Sequence, residues 1–373
     1  MQKQHVAVVG AGAFGGWTAL SLLRRGARVT LLDAWGPGNS RASSGGETRV
    51  LRATYKAHLY TELVALALPL WQENERRWGL KLFHQTGVLW MADENDTLER
   101  AAVQHMCDVG LPYEELSTAE AARRFPQINF DGICWALRET NAGYLLARRA
   151  CAAVVEGFQA EGGEYKQAAA EPGSIEGGAM SGVRLSDGSA LQADQYIFAC
   201  GPWLGRLFPD AIGGRIQPTR QDVFFFGTPA GDSRFNEESL GVWLDYGARA
   251  WYGIPGNESR GFKIANDTRG PAFDPTSGDR TPDAGALREA REYVAFRFPA
   301  LRDAPLVESR VCQYEQTADS HFIVDRHPRA QNVWLVGGGS GHGFKFGPAL
   351  GQWISEMVIG RREIEKTFSL SRF

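Results

Sequence analysis

Near the start of the chain, residue types and spacing are suited to holding a dinucleotide. Gly10, Gly12 and Gly15 stand in the run Gly-Ala-Gly-Ala-Phe-Gly, and Asp33 follows about twenty residues on, the separation that such a unit requires. Gly10 permits a tight turn, Gly12 lets a pyrophosphate approach the backbone, and Gly15 lets a helix sit close on the preceding strand. Ala13 and Phe14 open that helix, whose first N–H groups have no partners within it and so are free for phosphates. The Asp33 carboxylate can accept hydrogen bonds from the adenosine ribose hydroxyls, and its charge opposes the 2′-phosphate of NADP. The motif alone leaves FAD and NAD both open.

These residues act together only if the chain around them forms a strand, a turn, a helix and a second strand. The apolar run His5–Val9 supplies the first strand, Trp17, Leu20, Leu22 and Leu23 give one side of a helix to about Arg25, and the second strand ends at Asp33. Later segments read as further pieces of the same fold: a helix over Tyr144–Gln159, a strand in Ala193–Gly201, and a strand over Asn332–Val336. The last leads through the glycine-rich stretch 337–343 into a helix from Pro348 to about Ile359, with proline well placed in a first turn. Between them, Gly87–Ala92, Gln221–Phe226, Trp251–Ile254 and Gly261–Ala265 read as strands of a mostly antiparallel sheet. The organisation expected is a dinucleotide domain from 1–82, 143–215 and 316–373, and a second domain from 83–142 and 216–315. Gln167–Gly182, rich in Ala, Gly, Ser and Glu, reads as a mobile surface excursion.

At 373 residues, two domains are the natural expectation. A net charge of −3 with both signs interspersed gives no electrostatic footprint for nucleic acid, so the partners expected are small molecules. The first strand begins close to Met1 and no apolar run is long enough to span a bilayer, so a soluble cytoplasmic protein without membrane contact is expected. Cys107, Cys134, Cys151, Cys200 and Cys312 are scattered with no C-x-x-C pair, which fits reduced thiols rather than disulfides or a metal site.

Four stretches carry a family resemblance: Gly45-Gly46-Glu47-Thr48-Arg49-Val50-Leu51-Arg52; Trp251-Tyr252-Gly253 with Phe262-Lys263-Ile264; Val311-Cys312-Gln313-Tyr314 followed by Asp319 to Asp325; and Gly339-Ser340-Gly341-His342-Gly343-Phe344-Lys345-Phe346. On these the chain resembles the monomeric sarcosine oxidase and N-methyltryptophan oxidase group of FAD-dependent amine oxidases, within the D-amino-acid-oxidase-like superfamily. The resemblance implies an α/β fold: a Rossmann-like FAD-binding domain with a discontinuous α+β substrate domain built on the antiparallel sheet. It implies a monomer that oxidises a small-molecule amine, reduces O₂ to hydrogen peroxide, and links FAD covalently through Cys312. Thr48, Arg49, Gly339, Gly341, Gly343, Phe344 and Lys345 would join the N-terminal turn in binding FAD. Lys263 would activate oxygen, since a fixed cation stabilises developing superoxide-like charge. Arg52 and Lys345 would hold a substrate carboxylate, the arginine through its planar fork. Tyr252, Tyr314 and His342 would border the reacting centre.

Two positions depart from the sarcosine-oxidising pattern, with Gly45 and Asp267 where relatives carry histidines. Gly45 is expected to remove bulk from the pocket. Asp267 either binds a cationic or hydroxylated part of the substrate, or points into solvent from the loop 266–270 and pairs with Arg269. The substrate expected is an N-alkylated amino acid larger or more polar than sarcosine. Two enzymatic alternatives keep the fold: a dehydrogenase passing electrons to a carrier or quinone, and an oxidase of fructosyl amino acids. A non-catalytic flavoprotein fits poorly with so many matched basic residues.

Overall fold

The computed structural model describes residues 3–247 and 250–373. The opening segment folds as its pattern dictates. Strand His5–Val9 pairs in parallel with Arg28–Asp33 on one side and Gln195–Phe198 on the other. Val6, Ala7 and Val8 are fully buried, as the continuous apolar run of a strand covered on both faces requires. The six-stranded sheet runs 323–327, 330–337, 195–198, 5–9, 28–33, 164–167, and all its pairings are parallel except that of the first two strands.

Helix Ala13–Arg24 lies against helix Gly347–Val358. The approach is close because two residues of the later helix lack side chains. A Cβ at Gly351 would fall 2.6 Å from the Trp17 backbone, and one at Gly347 would fall 2.4 Å from the Trp17 ring. Ser21 and Ser355 complete the contact with a 2.8 Å hydrogen bond.

The second large sheet has eight strands in the order 306–316, 217–226, 262–266, 251–254, 242–245, 88–92, 135–139, 113–117. All neighbours are antiparallel except 242–245 beside 88–92. Trp243, Trp251, Phe224, Phe226 and Phe262 pack on it with helix Ala284–Arg297. That helix is tied down by Tyr293 and Arg297, which both donate to the buried Asp245 carboxylate at 2.7 Å. A smaller sheet of 48–51, 143–146 and 83–84 carries Thr48 and Arg49, and Leu51 leads on towards Arg52.

One reading of local structure needs correction. Gly143–Leu146 is a strand, and the helix spans Ala147–Ala160. Tyr144 and Leu145 pair with Val50 and Arg49, so tertiary pairing overrides a helical spacing of apolar residues. The stretch 167–182 is built of short paired strands, with Ala170–Pro172 against Val183–Leu185 and a hairpin at 175–180. Met180 and Ala170 are buried there, and the turn glycines Gly177 and Gly178 adopt positive φ. Among the described residues, no helix is long and apolar enough to cross a membrane.

Candidate active site

The N-terminal turn divides its work between packing and exposure. Gly10 has φ +107°, and a Cβ there would fall 2.3 Å from the Ala199 carbonyl oxygen. A Cβ at Gly15 would fall 1.9 Å from the Gly10 carbonyl oxygen, so Gly15 sets the distance between helix and strand. At Gly12 the nearest atom to a Cβ would be Ser44 Oγ at 3.2 Å. Its free side faces a cavity of about 390 Å³ that Gly10, Gly12, Ala13, Phe14 and Asp33 border. Asp33 accepts from the N–H of Ala11 at 2.8 Å and of Trp35 and Gly36 at 2.9 Å. Burial pushes its carboxyl above the ordinary range while those N–H groups pull it back.

The cavity extends from this turn past Cys200 and Gly201 to Arg49, Tyr314, Gly339 and Phe344. Helix Ala13–Arg24 has no side-chain cap at Gly12, and Ser43 Oγ, buried at the wall, has no hydrogen-bond partner. A glycine-opened helix start at the phosphate end, an acid placed for a ribose, and an unpaired hydroxyl further along fit FAD. Gly339, Gly341 and Gly343 all border this cavity. Gly341 (φ +78°) lies where a Cβ would fall 2.6 Å from the Tyr314 ring, and a Cβ at Gly343 would fall 2.7 Å from the Phe14 ring.

A second cavity of about 50 Å³ adjoins the first, sharing Arg49, Tyr314, Gly341 and Phe344 as lining. It brings together Arg52, Tyr252, Lys263, Asp267, Cys312 and Lys345, with His342 beside them. Cys312 lies on strand 306–316 opposite Gln221, and its Sγ is 3.4 Å from Arg49 Nη2. Arg49 is held there by donating to the Thr48 and Ser43 carbonyls. The other cysteines differ in setting: Cys107 and Cys134 are exposed, and Cys151 is buried with its thiol pushed up to about 12. Cys200 borders the first cavity, and burial raises its thiol too.

Lys263 projects from strand Phe262–Asn266 and donates to the Thr48 carbonyl at 3.1 Å and its hydroxyl at 3.2 Å. Thr48 lines neither cavity; it holds the lysine. Burial, then the nearby Arg49 charge, lowers the Lys263 ammonium to about 7. Lys345 donates to Tyr55 Oη and to the His342 carbonyl, both at 2.8 Å. Burial, then Arg52, holds its pKa well below the usual lysine range. The Arg52 guanidinium sits over the Tyr55 ring at 4.3 Å and the Trp90 ring at 5.0 Å, an arrangement that fixes a cation by stacking.

Asp267 points into this cavity and not into solvent. Its carboxylate accepts from Tyr314 Oη at 2.6 Å and from Tyr246 Oη, whereas Arg269 donates to the Thr317 carbonyl. Burial, then the Asp267 charge, raises the pKa of Tyr252, Tyr246 and Tyr314, so the phenols stay protonated as donors. Gly45 borders neither cavity, and a Cβ there would fall 1.9 Å from the Asn39 carbonyl oxygen. Its lack of side chain closes the 39–45 turn and does not enlarge the pocket. His342 bonds through Nε2 to the Ser320 carbonyl at 2.9 Å and packs on Tyr60 and Phe322. Burial, then Lys345, lowers it to about 3, leaving a neutral ring.

Three contributors carried no signal in the sequence. Tyr55 and Tyr246 reach Lys345 and Asp267 from unmatched segments. Glu139, 2% exposed, accepts from the N–H groups of Ala53 and Thr54, the Thr54 hydroxyl and Trp90 Nε1. It thereby anchors the segment after Arg52. Among the described residues, no group of three or more His, Cys, Asp or Glu side chains is arranged to hold a metal ion.

A dinucleotide cleft at the carboxyl ends of parallel strands, adjoined by a largely antiparallel sheet that supplies Lys263 and Cys312, defines a flavoprotein oxidoreductase. Residues 5–357 match the family described as FAD dependent oxidoreductase, and the chain belongs to that family. It is 30% identical to the peroxisomal sarcosine oxidase of Homo sapiens, covering 94% of this chain and 91% of that protein. Identity to the monomeric sarcosine oxidase of Bacillus sp. (strain B-0618) is also 30%, covering 98% and 95%. The L-proline dehydrogenase from P. horikoshii superposes with a TM-score of 0.86 at 20% identity, covering 100% of this chain and 98% of that one, a likeness of fold.

Proposed function

We propose that this FAD-dependent enzyme is an oxidase of secondary amines, acting on N-alkylated amino acids as sarcosine oxidases do and releasing hydrogen peroxide. The observation that carries the reading is the convergence of Arg52, Lys345, Lys263, Asp267 and Cys312 on one small cavity adjoining the dinucleotide cleft. Segments 1–82, 143–215 and 316–373 bind FAD, and 83–142 with 216–315 form the substrate side. FAD, when bound, supplies the two-electron acceptor for the carbon beside the amine nitrogen and then the reductant for oxygen.

The protein's own groups do the rest. Arg52 and Lys345 take the substrate carboxylate, whose charge restores to the buried Lys345 the counter-ion it lacks. Asp267, fixed by two phenols, faces the amine or its substituent. Lys263 supplies positive charge where oxygen is reduced. Cys312, with Arg49 against its sulfur, would hold the flavin by a thioether at its 8α-methyl carbon; the thiol and methyl hydrogens would leave as protons, and the two electrons would pass to the flavin and then to O₂. Tyr252 and Tyr314 wall the reacting centre, and His342 positions Lys345 through its carbonyl. The imine product hydrolyses to an amine and an aldehyde or oxo acid.

A volume of about 50 Å³, which admits a few waters or a compact ligand, favours small amino acids over fructosyl conjugates. The free thiols support a cytoplasmic setting, and the name of the Bacillus relative supports a monomer. A peroxide-release screen over N-methyl, cyclic and sugar-linked amino acids tests the reading. Compact secondary amines should lead, and Asp267→Asn should reorder them by the groups remote from the carboxylate. Peroxide formation from fructosyl amino acids alone, or no peroxide with any amine although the flavin bleaches anaerobically, would overturn it.

A further inference from the structure

Glu315 is a buried carboxyl that the proposed chemistry does not use. It lies on strand 306–316, three residues beyond Cys312, and is 9% exposed. Alternation along the strand puts it on the face opposite Cys312 and Tyr314. Its side chain enters the wall of the large cavity among three glycines at the ends of adjacent parallel strands. A Cβ on Gly201 would fall 3.7 Å from Oε2, one on Gly337 would fall 3.5 Å from Oε2, and one on Gly339 would fall 3.1 Å from Oε1. No side chain at those positions can therefore reach it. Among the described residues it forms no ion pair, and Oε2 has no hydrogen-bond partner. Burial, opposed by the N–H groups of Gly338 and Gly339, pushes the carboxyl up to about 7.

Buried polar atoms are paired in the great majority of cases, so a buried acceptor left without a partner on a residue of the cavity wall points to a donor that arrives with the ligand. Its place along the cleft says which part of the ligand. The Gly10–Gly12 turn at one end is built for the diphosphate, and Arg49, Cys312 and Tyr314 stand at the ring end. Glu315 lies between them, where the linking chain of FAD carries hydroxyl donors.

We infer that Glu315 is an FAD ligand, its Oε2 accepting a hydrogen bond from a hydroxyl of the ribityl chain. The inference rests on FAD binding and not on which amine is oxidised. In full-length Cys312→Ser protein, where no thioether masks affinity, the dissociation constant can be read from flavin fluorescence. Adding Glu315→Ala should weaken FAD binding about tenfold, the loss of one hydrogen bond to a buried partner. Glu315→Gln, which keeps an acceptor oxygen, should stay within about threefold. FAD analogues lacking single ribityl hydroxyls give a second readout. With Glu315 present, one analogue should bind about tenfold more weakly than FAD; with Glu315→Ala, that analogue and FAD should bind alike. Should Glu315→Ala fail to fold, the analogues with Glu315 intact still decide the matter. Equal affinity for FAD and every deoxy analogue, or an unchanged dissociation constant in Glu315→Ala, would overturn the assignment while leaving the FAD-dependent family membership intact.

Discussion

Cys312 and Lys263 sit on neighbouring faces of the same small cavity, yet their environments set different tasks. Cys312 has a permanent cation 3.4 Å from its sulfur and is the proposed point of flavin attachment. Acid precipitation of the wild-type protein should leave yellow colour in the pellet, and Cys312→Ser should pass it to the supernatant. A colourless wild-type pellet would refute the linkage. Lys263 is held by Thr48 and lowered by burial to about 7. Its protonated form dominates below that value, so reoxidation by O₂ should slow as pH rises through and above about 7. Lys263→Met should cut reoxidation by about 10²–10³ and flatten its pH profile, while anaerobic reduction by substrate changes far less. Stopped-flow measurement of the two half-reactions separates these outcomes, and equal slowing of both would remove Lys263 from the oxygen role.

At the scale of elements, the glycines of the first turn are separable by experiment. Gly15→Ala drives a methyl to within 1.9 Å of the Gly10 carbonyl, so helix and strand must part. Strain of this kind costs about 1–3 kcal/mol or more, so melting temperature and flavin content should fall together. Gly12→Ala meets only Ser44 Oγ at 3.2 Å and should leave the protein folded with little or no FAD, read from the 450 nm absorbance per chain. Equal loss of melting temperature in both variants would contradict this division. The same elements mark how far sequence reaches. The glycine turn, Asp33, the strands at 88–92 and 251–254, and the part 221–226 of strand 217–226 were legible because their signals are local: spacing, and apolar or β-branched and aromatic runs. Tyr144 to Leu146 misled because a strand of four residues is too short to distinguish period two from helical spacing, and pairing with Val50 and Arg49 decided it. Tyr55, Tyr246, Glu139 and Glu315 were not legible at all. Each acts through a partner remote in sequence, as Glu139 does on Ala53 and Thr54, and no local pattern announces such a contact.

Across the whole molecule, the dinucleotide cleft is a junction of distant chain. Its walls come from the first turn, from 39–49, from 168–171, from 199–207 and from 314–344, and the ring end is closed by the eight-stranded sheet through Tyr314 and Cys312 and by the small sheet through Arg49. A ligand seated there touches both large sheets at once, so its binding free energy adds to the stability of the folded state and not of one segment alone. Linkage then fixes the magnitude: free FAD at 100 times its dissociation constant stabilises the fold by about 2.7 kcal/mol. In Cys312→Ser protein stripped of flavin, the melting temperature should rise with the logarithm of added FAD. Protease cleavage within 39–49 and 199–207 should be suppressed over the same concentrations, because these segments form the walls that the ligand bridges. Protection confined to the first turn, or a melting temperature independent of FAD, would mean that the cleft holds its shape without the ligand and that the two sheets are joined by their own contacts alone.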